Sequence, residues 1–340
     1  MRVFNRILCT IILVLILAPG ALAREDVYHW EIASLAPEGF GWAKHAEEVI
    51  VRETTLATQG HLQVKIHWNG VKGDDEDYLR LMQAGELEGA GLSGQGAGLA
   101  CPEFSVVELP FLFRDYGEVD YVRSRMFDEF DARFAQYGLK LLYWLDQDFD
   151  QLYSSISPMA TLEDFGQTRF VLWYGPLEDA LICTLNAQAV SCNAPEGAAA
   201  LRQGAANAVM APAAWMVGAQ LQTVMKYVSP VKIRYSPVAV VVTSQTWNDF
   251  PEAYRQMYRA EREAITEKFN VLARADNEKC LEALVARGVK RTEMSRENLD
   301  LMKKRALTIY PQMTDLAFPR GLLITLEGYL KEYRASGPPQ

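Results

Sequence analysis

The segment that most restricts how this chain folds runs from Thr161 to Trp215. A turn-like TLEDFG (Thr161–Gly166) leads into RFVLWYG (Arg169–Gly175), whose β-branched and aromatic content predicts a strand. A helical stretch over Leu177–Leu185, a short strand AVSC (Ala189–Cys192) and a second helix over about Glu196–Gln203 follow, before NAVMAPAAW (Asn207–Trp215). Strands and helices alternating in this way specify a parallel sheet whose loops gather at one edge. Ligands of such sheets bind beyond the carboxyl ends of the strands. Trp173, Tyr174, Pro212 and Trp215 fall at those ends and are expected to form one wall of a ligand cleft.

The N-terminal half repeats the pattern. VYHWEIASL (Val27–Leu35) alternates as a strand does, an amphipathic helix is predicted over Trp42–Thr54, and HLQVKIHW (His61–Trp68) alternates again. Acidic DDED (Asp74–Asp77) precedes a helix over Tyr78–Ala84, and a glycine-rich piece (Gly85–Gly98) leads to the apolar ELPFLF (Glu108–Phe113). A helix is predicted over about Tyr116–Tyr137 and a buried strand over Leu139–Leu145. With 340 residues the chain has material for two such α/β domains.

The first 23 residues stand apart. Arg2 and Arg6 precede an apolar run from Ile7 to Ala18, and Ala21-Leu22-Ala23 supplies the small residues of a cleavage site, so a secretory leader removed before Arg24 is expected. The run is shorter than the roughly 20 residues a membrane span needs. Without Arg2 and Arg6, 32 of the 34 basic residues face 43 acidic ones, a formal charge of about −11. Such a surface repels nucleic acid and anionic lipid. An exporting compartment permits disulfides. Among Cys101, Cys183, Cys192 and Cys280 the favoured pair is Cys183–Cys192, with buried thiols as the alternative.

Two motifs are set aside. Gly89-Ala90-Gly91-Leu92-Ser93-Gly94 matches G-x-G-x-x-G, but it follows a helix and a charged turn rather than the strand that phosphate binding requires. Asp146, Asp148 and Asp150 resemble the start of a calcium loop, but Gln151 stands where the turn glycine belongs and Ser157 where the final glutamate belongs. No metal, no cofactor and no enzymatic role is expected. There is no G-x-S-x-G or H-E-x-x-H, and His29, His45, His61 and His67 all lie in the N-terminal quarter.

Taken in order, LAPEG with a tryptophan three residues on, GELEGAGLSG, ELPFLFRDYGEVDYVR, TLEDF before a strand, LRQGAANAV, and TWNDFP before a long helix form a recognisable series. The series, spanning about Trp30–Ser295, resembles the extracytoplasmic solute-binding proteins of tripartite ATP-independent periplasmic (TRAP) transporters, the DctP-like family. Within it the chain looks closest to the branch with a tetratricopeptide-repeat partner. The resemblance implies a two-lobed periplasmic-binding-protein-like fold with a cleft between two sheets and a long C-terminal helix spanning both lobes. Lobe I is expected to comprise residues 24–147 plus 235–265, and lobe II residues 148–234 plus 266–340. Ser229–Ser244 would be a strand shared between the lobes. The helix starting at Trp247-Asn248-Asp249-Phe250-Pro251, with Asn248 or Asp249 as its cap, would run to about Arg287; coiled-coil association is the alternative reading of its length. Further helices are predicted over about Arg296–Thr308 and Pro319–Tyr333. The implied function is capture of a small molecule in the periplasm by lobe closure and delivery to the TRAP membrane permease, with a periplasmic tetratricopeptide-repeat protein as the alternative main partner.

In that family a strand-end arginine of a G-x-K-[IV]-R pattern grips the ligand carboxylate, a task that suits its planar fork. Aligning Asp164-Phe165 with the family's pattern puts Arg169 at the lysine and Val171 at the arginine. Arg169 lies two positions away on the same strand face and takes over if the loop shifts; otherwise it is a surface or salt-bridge arginine. The asparagine that precedes proline in the third strand-end loop is replaced by Ala211. Two polar anchors are thus apolar, flanked by Trp173 and Trp215, and the expected ligand is apolar or aromatic-stackable, whether or not it bears a carboxylate. Phe149 and Tyr153, at the crossover between lobes, and Trp42 and Gln95, on first-lobe loops, complete the expected ligand contacts.

Overall fold

A computed structural model describes residues 26–173 and 175–337. The expected leader and its cleavage site, and Tyr174, lie outside the described residues. The sheet is built from β1 (Tyr28–Ser34), β2 (Leu62–His67), β3 (Gly89–Ser93), β4 (Leu139–Ser154), β5 (Arg169–Leu172), β6 (Gln188–Ser191), β7 (Ala208–Ala211), β8 (Tyr227–Thr243) and β9 (Lys290–Arg291). Its order is β2-β1-β3-β8-β4-β7-β5-β6, with β9 alongside β8.

The long strands β4 and β8 are the frame. They pair antiparallel from Leu139↔Thr243 to Ser154↔Tyr227. The parallel first-lobe strands join them where β3 pairs with Val238–Val242, and the second-lobe strands join where β7 pairs with Gln151–Ser154. The sheets of the two lobes are therefore continuous through one shared pair. Its register shifts at Leu141/Tyr143, Asp146/Asp148 and Asp150/Leu152. Bulges of this kind bend a strand and increase its twist.

Sequence and structure part company at four places, each for a physical reason. The strand expected to end at Leu145 continues through DQDFDQLYS, a stretch that strand propensity disfavours. Buried cationic and hydroxyl partners hold its aspartates there, as described below. The glycine-rich motif does follow a helix and a charged turn, but Gly89–Ser93 is itself a strand, β3, that was not expected. A Cβ at Gly89 would stand 2.2 Å from the Val241 carbonyl oxygen and 2.7 Å from Ile32 Cδ1, so glycine is what lets β3 enter the sheet. The C-terminal helix is broken: Ser244–Asp249 is capped by Thr243, whose hydroxyl accepts from the Thr246 N–H at 3.0 Å, and a second helix runs over Glu252–Ala286. Pro251, rather than Asn248 or Asp249, holds the N-cap position of that second helix. Finally, the four cysteines among the described residues, Cys101, Cys183, Cys192 and Cys280, are free thiols, and no Cys183–Cys192 bridge forms.

The 35-residue helix Glu252–Ala286 buries Tyr258, Ile265, Phe269, Ala273, Cys280 and Leu284 against its own chain. It packs along β4 and onto the second-lobe helix Ala213–Gly218, so it touches both lobes. Two apolar cores fill the opposite sides of the sheet. One includes Phe104, Phe130, Phe134, Trp144 and Phe149; the other includes Tyr143, Tyr153, Val209, Tyr258 and Phe269.

Gly89→Ala is expected to cost about 1–3 kcal/mol, the range for forcing extra atoms into a filled interior. A lowered urea midpoint with an unchanged slope is the expected result, and an unchanged midpoint would show that β3 has slack.

Candidate functional site

The loops after the parallel strands of both lobes face one another across a cavity of about 270 Å³. From the first lobe come Leu35 to Pro37 after β1, Trp42 from the helix Gly41–His45 that follows them, and Trp68 and Asn69 after β2. From the second come Trp173 after β5, Ala194 and Pro195 after β6, and Pro212 and Trp215 after β7. Val238 and Val240 of β8 and Phe269 of the long helix close the rear. Four indoles thus surround a largely apolar space. No lysine, arginine or histidine is among the described residues that line it.

Neighbours hold these side chains in place. Trp42 Nε1 donates to the Gln147 carbonyl at 3.1 Å, and that carbonyl also accepts from Asn277 Nδ2 at 2.6 Å. Trp68 Nε1 donates to Glu47 Oε1 at 3.0 Å. Trp173 and Trp215 meet edge to face, with ring centres 4.4 Å apart. Gly197 makes room for the first of them, since a Cβ there would stand 2.8 Å from Trp173 Cε3.

Of the residues singled out from sequence, Trp42, Trp173, Pro212 and Trp215 line the cavity. Val171 and Ala211 are fully buried beside it, Val171 against Gly197 behind the Trp173 indole and Ala211 paired with Gln151. Phe149 packs inside the core, tilted against Tyr116 and edge to face with Tyr235, and Tyr153 donates its hydroxyl to Gln151 Oε1 at 3.0 Å. The Arg169 guanidinium turns to the end of the helix Ala194–Gln203, donating to the Gly204 and Ala205 carbonyls at 2.8 and 2.9 Å. The side chain of Gln95 lies outside the described residues. Lining groups that sequence reasoning passed over are Trp68, Asn69, Asp75, Gln147 and Phe269. Trp68 carried a signal, being at the carboxyl end of an alternating strand; Phe269 carried none.

The family model for bacterial extracellular solute-binding protein, family 7, matches residues 32–315. The chain belongs to this family. A relative, the "C4-dicarboxylate-binding periplasmic protein DctP" of Rhodobacter capsulatus, is 24% identical over 83% of this chain and 84% of its own length. Among solved structures, the sugar acid binding protein DctPAm of Advenella mimigardefordensis, in complex with galactonate, superimposes with a TM-score of 0.84 at 18% identity, covering 90% of this chain and 99% of that one. A TRAP periplasmic solute-binding protein of Sulfurospirillum deleyianum with bound succinate gives 0.80 at 19% identity, covering 89% and 99%. The fold is thus the two-lobed one of TRAP solute-binding proteins. Among the described residues no helix is long and apolar enough to cross a membrane.

In this family 7 protein the crossing strands carry a chain of buried charges. Asp146 on β4 accepts from Arg123 and, at 2.5 Å, from the Tyr235 hydroxyl, while Arg274 of the long helix reaches its other oxygen at 2.7 Å. Arg274 also grips Asp120 with two bonds of 2.6 and 2.9 Å. Asp148 accepts from the Tyr116 hydroxyl at 2.5 Å. Asp150 takes two bonds from the buried Arg234, which also lies 3.4 Å from Glu178. The three aspartates are committed separately to protein partners, and among the described residues no acidic or thiol cluster is arranged to hold a metal ion.

Burial sets the proton affinity of several of these groups. It pushes Asp148 up to about 7 against hydrogen bonds from Tyr116, Phe149 and Gln151. Glu108 is pushed up to about 8 by burial, against the pull of Arg234. In the cleft wall Asp75 also reaches about 8, through burial and then the charge of Asp74. The native state therefore keeps these protons at pH values where the unfolded chain, with ordinary carboxyls near 4, has released them. Stability must fall as pH rises from about 4 through about 7 and 8, by up to ~1.4 kcal/mol per pH unit per group. The thermal midpoint should drop between pH 5 and pH 8, and Glu108→Gln should flatten that slope; a midpoint rising over this range would contradict the assignment.

Breaking the Arg234 pair tests the other side of the same balance. Arg234→Met leaves Asp150 and Glu178 buried without their cation and should cost about 3–5 kcal/mol. Chemical denaturation of that variant beside Asp150→Asn measures it.

Proposed function

We propose that this protein captures a small apolar or aromatic-stackable molecule between its lobes and delivers it to the membrane permease of a TRAP-type transporter. The observation that carries this reading is the composition of the cleft: four indoles and Phe269, with no basic side chain among the described lining residues. Galactonate and succinate, held by the two solved relatives, each present a carboxylate. Burying such a group here without a cation would cost several kcal/mol. The position where the family arginine is expected holds Val171, packed behind Trp173, and Arg169 is occupied with carbonyls of another helix end. Neither supplies the missing charge.

Capture works by closure. The lobes, taken as residues 24–147 with 235–265 and residues 148–234 with 266–340, meet where β4 and β8 change register near Asp146 and Asp150. Bending there brings the Trp173–Trp215 wall against Trp42 and Trp68 and removes the ligand from water. The binding of apolar surface between preformed walls then favours the closed state by its differential contact with it.

Native mass spectrometry of the protein purified without refolding, followed by release of the bound molecule, tests the reading. A molecule with an aromatic or extended apolar part is expected, and a C4-dicarboxylate or sugar acid would overturn it. With that molecule in hand, Trp173→Ala and Trp215→Ala should each weaken binding by about tenfold or more. Arg169→Ala should leave the affinity unchanged.

A further inference from the structure

The cleft contains one ionisable side chain that the apolar reading leaves unexplained. Asp75 is the first residue of the helix Asp75–Ala84 and lines the cleft although it is only 7% exposed. The capping of that helix is done by its neighbour Asp74, whose carboxylate accepts from Glu76 and Asp77, so Asp75 is not needed there. One of its oxygens, Oδ2, packs on Gly96 so closely that a Cβ there would stand 2.4 Å away. The other, Oδ1, is buried and has no hydrogen-bond partner. A buried acceptor without a donor costs about 1–3 kcal/mol, and such a group in a native protein calls for a reason.

From this juxtaposition we infer that Asp75 is the polar anchor of the cleft and that the captured molecule carries a protonated amine or other organic cation, which Oδ1 receives while the indoles of Trp42, Trp68, Trp173 and Trp215 flank it. The inference deepens the proposed function and rests on its placing of the ligand in this cleft. Three features of the site agree. First, the described lining carries no positive charge that Asp75 could already be serving. Second, indole faces are the best aromatic partners for a cation, worth about 2 kcal/mol or more when desolvated. Third, charge balance decides between ligand classes. A cation against ionised Asp75 leaves the closed cleft neutral, whereas an anion against it, or against its protonated form, buries a net negative charge without a partner.

The proton linkage gives the inference a sign. Burial and then Asp74 raise Asp75, while backbone hydrogen bonds at Ser93 and Gly96 lower it, leaving the carboxyl at about 8. The charged or titratable groups facing it are few. Asp74 precedes it and Tyr78 follows one turn on; β3 and the helix Gln95–Ala100 contain no titratable residue, and β8 presents Val238 and Val240. In the empty protein Asp75 is therefore mostly protonated at neutral pH. A cation must displace that proton, so its affinity rises with pH up to about 8.

The test compares benzylamine, benzyl alcohol and phenylacetate, three probes with the same ring and different charge, by tryptophan fluorescence and calorimetry on the mature protein. Benzylamine stays protonated across pH 6–8, as alkyl amines do. It should bind about tenfold or more tighter than the other two at pH 8. Its affinity should rise from pH 6 to pH 8 with release of a proton, while that of benzyl alcohol stays flat. Asp75→Asn, close in shape to the original, should remove the amine's advantage over benzyl alcohol and its pH dependence. If Asp75→Asn fails to fold, the pH profile of the unmodified protein decides alone. Equal binding of amine and alcohol, insensitive to pH, overturns the cation inference and leaves the apolar cleft standing. Binding of phenylacetate alone overturns both, and failure of the amine to bind overturns the inference.

Discussion

The structure depends on one ionic junction buried where β4 and β8 cross from lobe to lobe. Asp146 on β4, Arg123 on the helix Tyr116–Gln136, Arg274 on the long helix and Tyr235 on β8 come from four separate elements and converge within hydrogen-bonding distance. One register step on, Asp150 and Arg234 tie the same two strands again, with Glu178 of the second lobe beside them. Each charge is tolerated inside only because the others are present. That mutual requirement fixes the relative placement of elements that apolar contact alone would allow to slide. The bulges sit at the same positions, so the region where the ladder is interrupted is also the region where charges lock it.

This arrangement separates two tasks that a single hinge residue would have to combine. Shape and registry of the two lobes are set by the junction, which faces the protein interior. The indoles that wall the cleft come from strand-end loops and the helices that follow them. Trp173 belongs to the loop after β5, Trp215 to the helix after β7, Trp68 to the turn after β2 and Trp42 to the helix after β1. Val171, within β5, stands where the family arginine is expected and lies with Trp173 against Gly197.

Much of this was legible from residue order. The alternation of strand and helix in Thr161–Trp215 specified the second-lobe sheet, and the strand-end rule located Trp173, Pro212 and Trp215 at the cleft, while the family resemblance added Trp42. What was hidden was set by tertiary partners. Asp146, Asp148 and Asp150 disfavour a strand locally, and only Arg123, Arg274, Tyr116 and Arg234, distant in sequence, make one possible. The glycine-rich piece around Gly89 showed no strand pattern, because glycine disfavours strands, whereas here it admits one pressed against Val241. Asp75 was masked by its neighbours: four acidic residues in a row look like a solvated cap, and nothing in their order tells that the second one is buried in the cleft. Phe149 and Tyr153 have the right composition for a binding wall but project into the cores.

The pairing of β3 with β8 also dictates an order of assembly. Gly89 sits opposite Val242, about 150 residues later in the chain. The first lobe therefore lacks its adjoining strand until the polypeptide has traversed the whole of the second lobe and returned. Contacts so remote in sequence are slow to form. Until they do, β3 has an open edge made largely of glycine and alanine, with little side-chain surface to offer a wrong partner. The same small residues that let the sheet close late also keep its unfinished border quiet in the meantime.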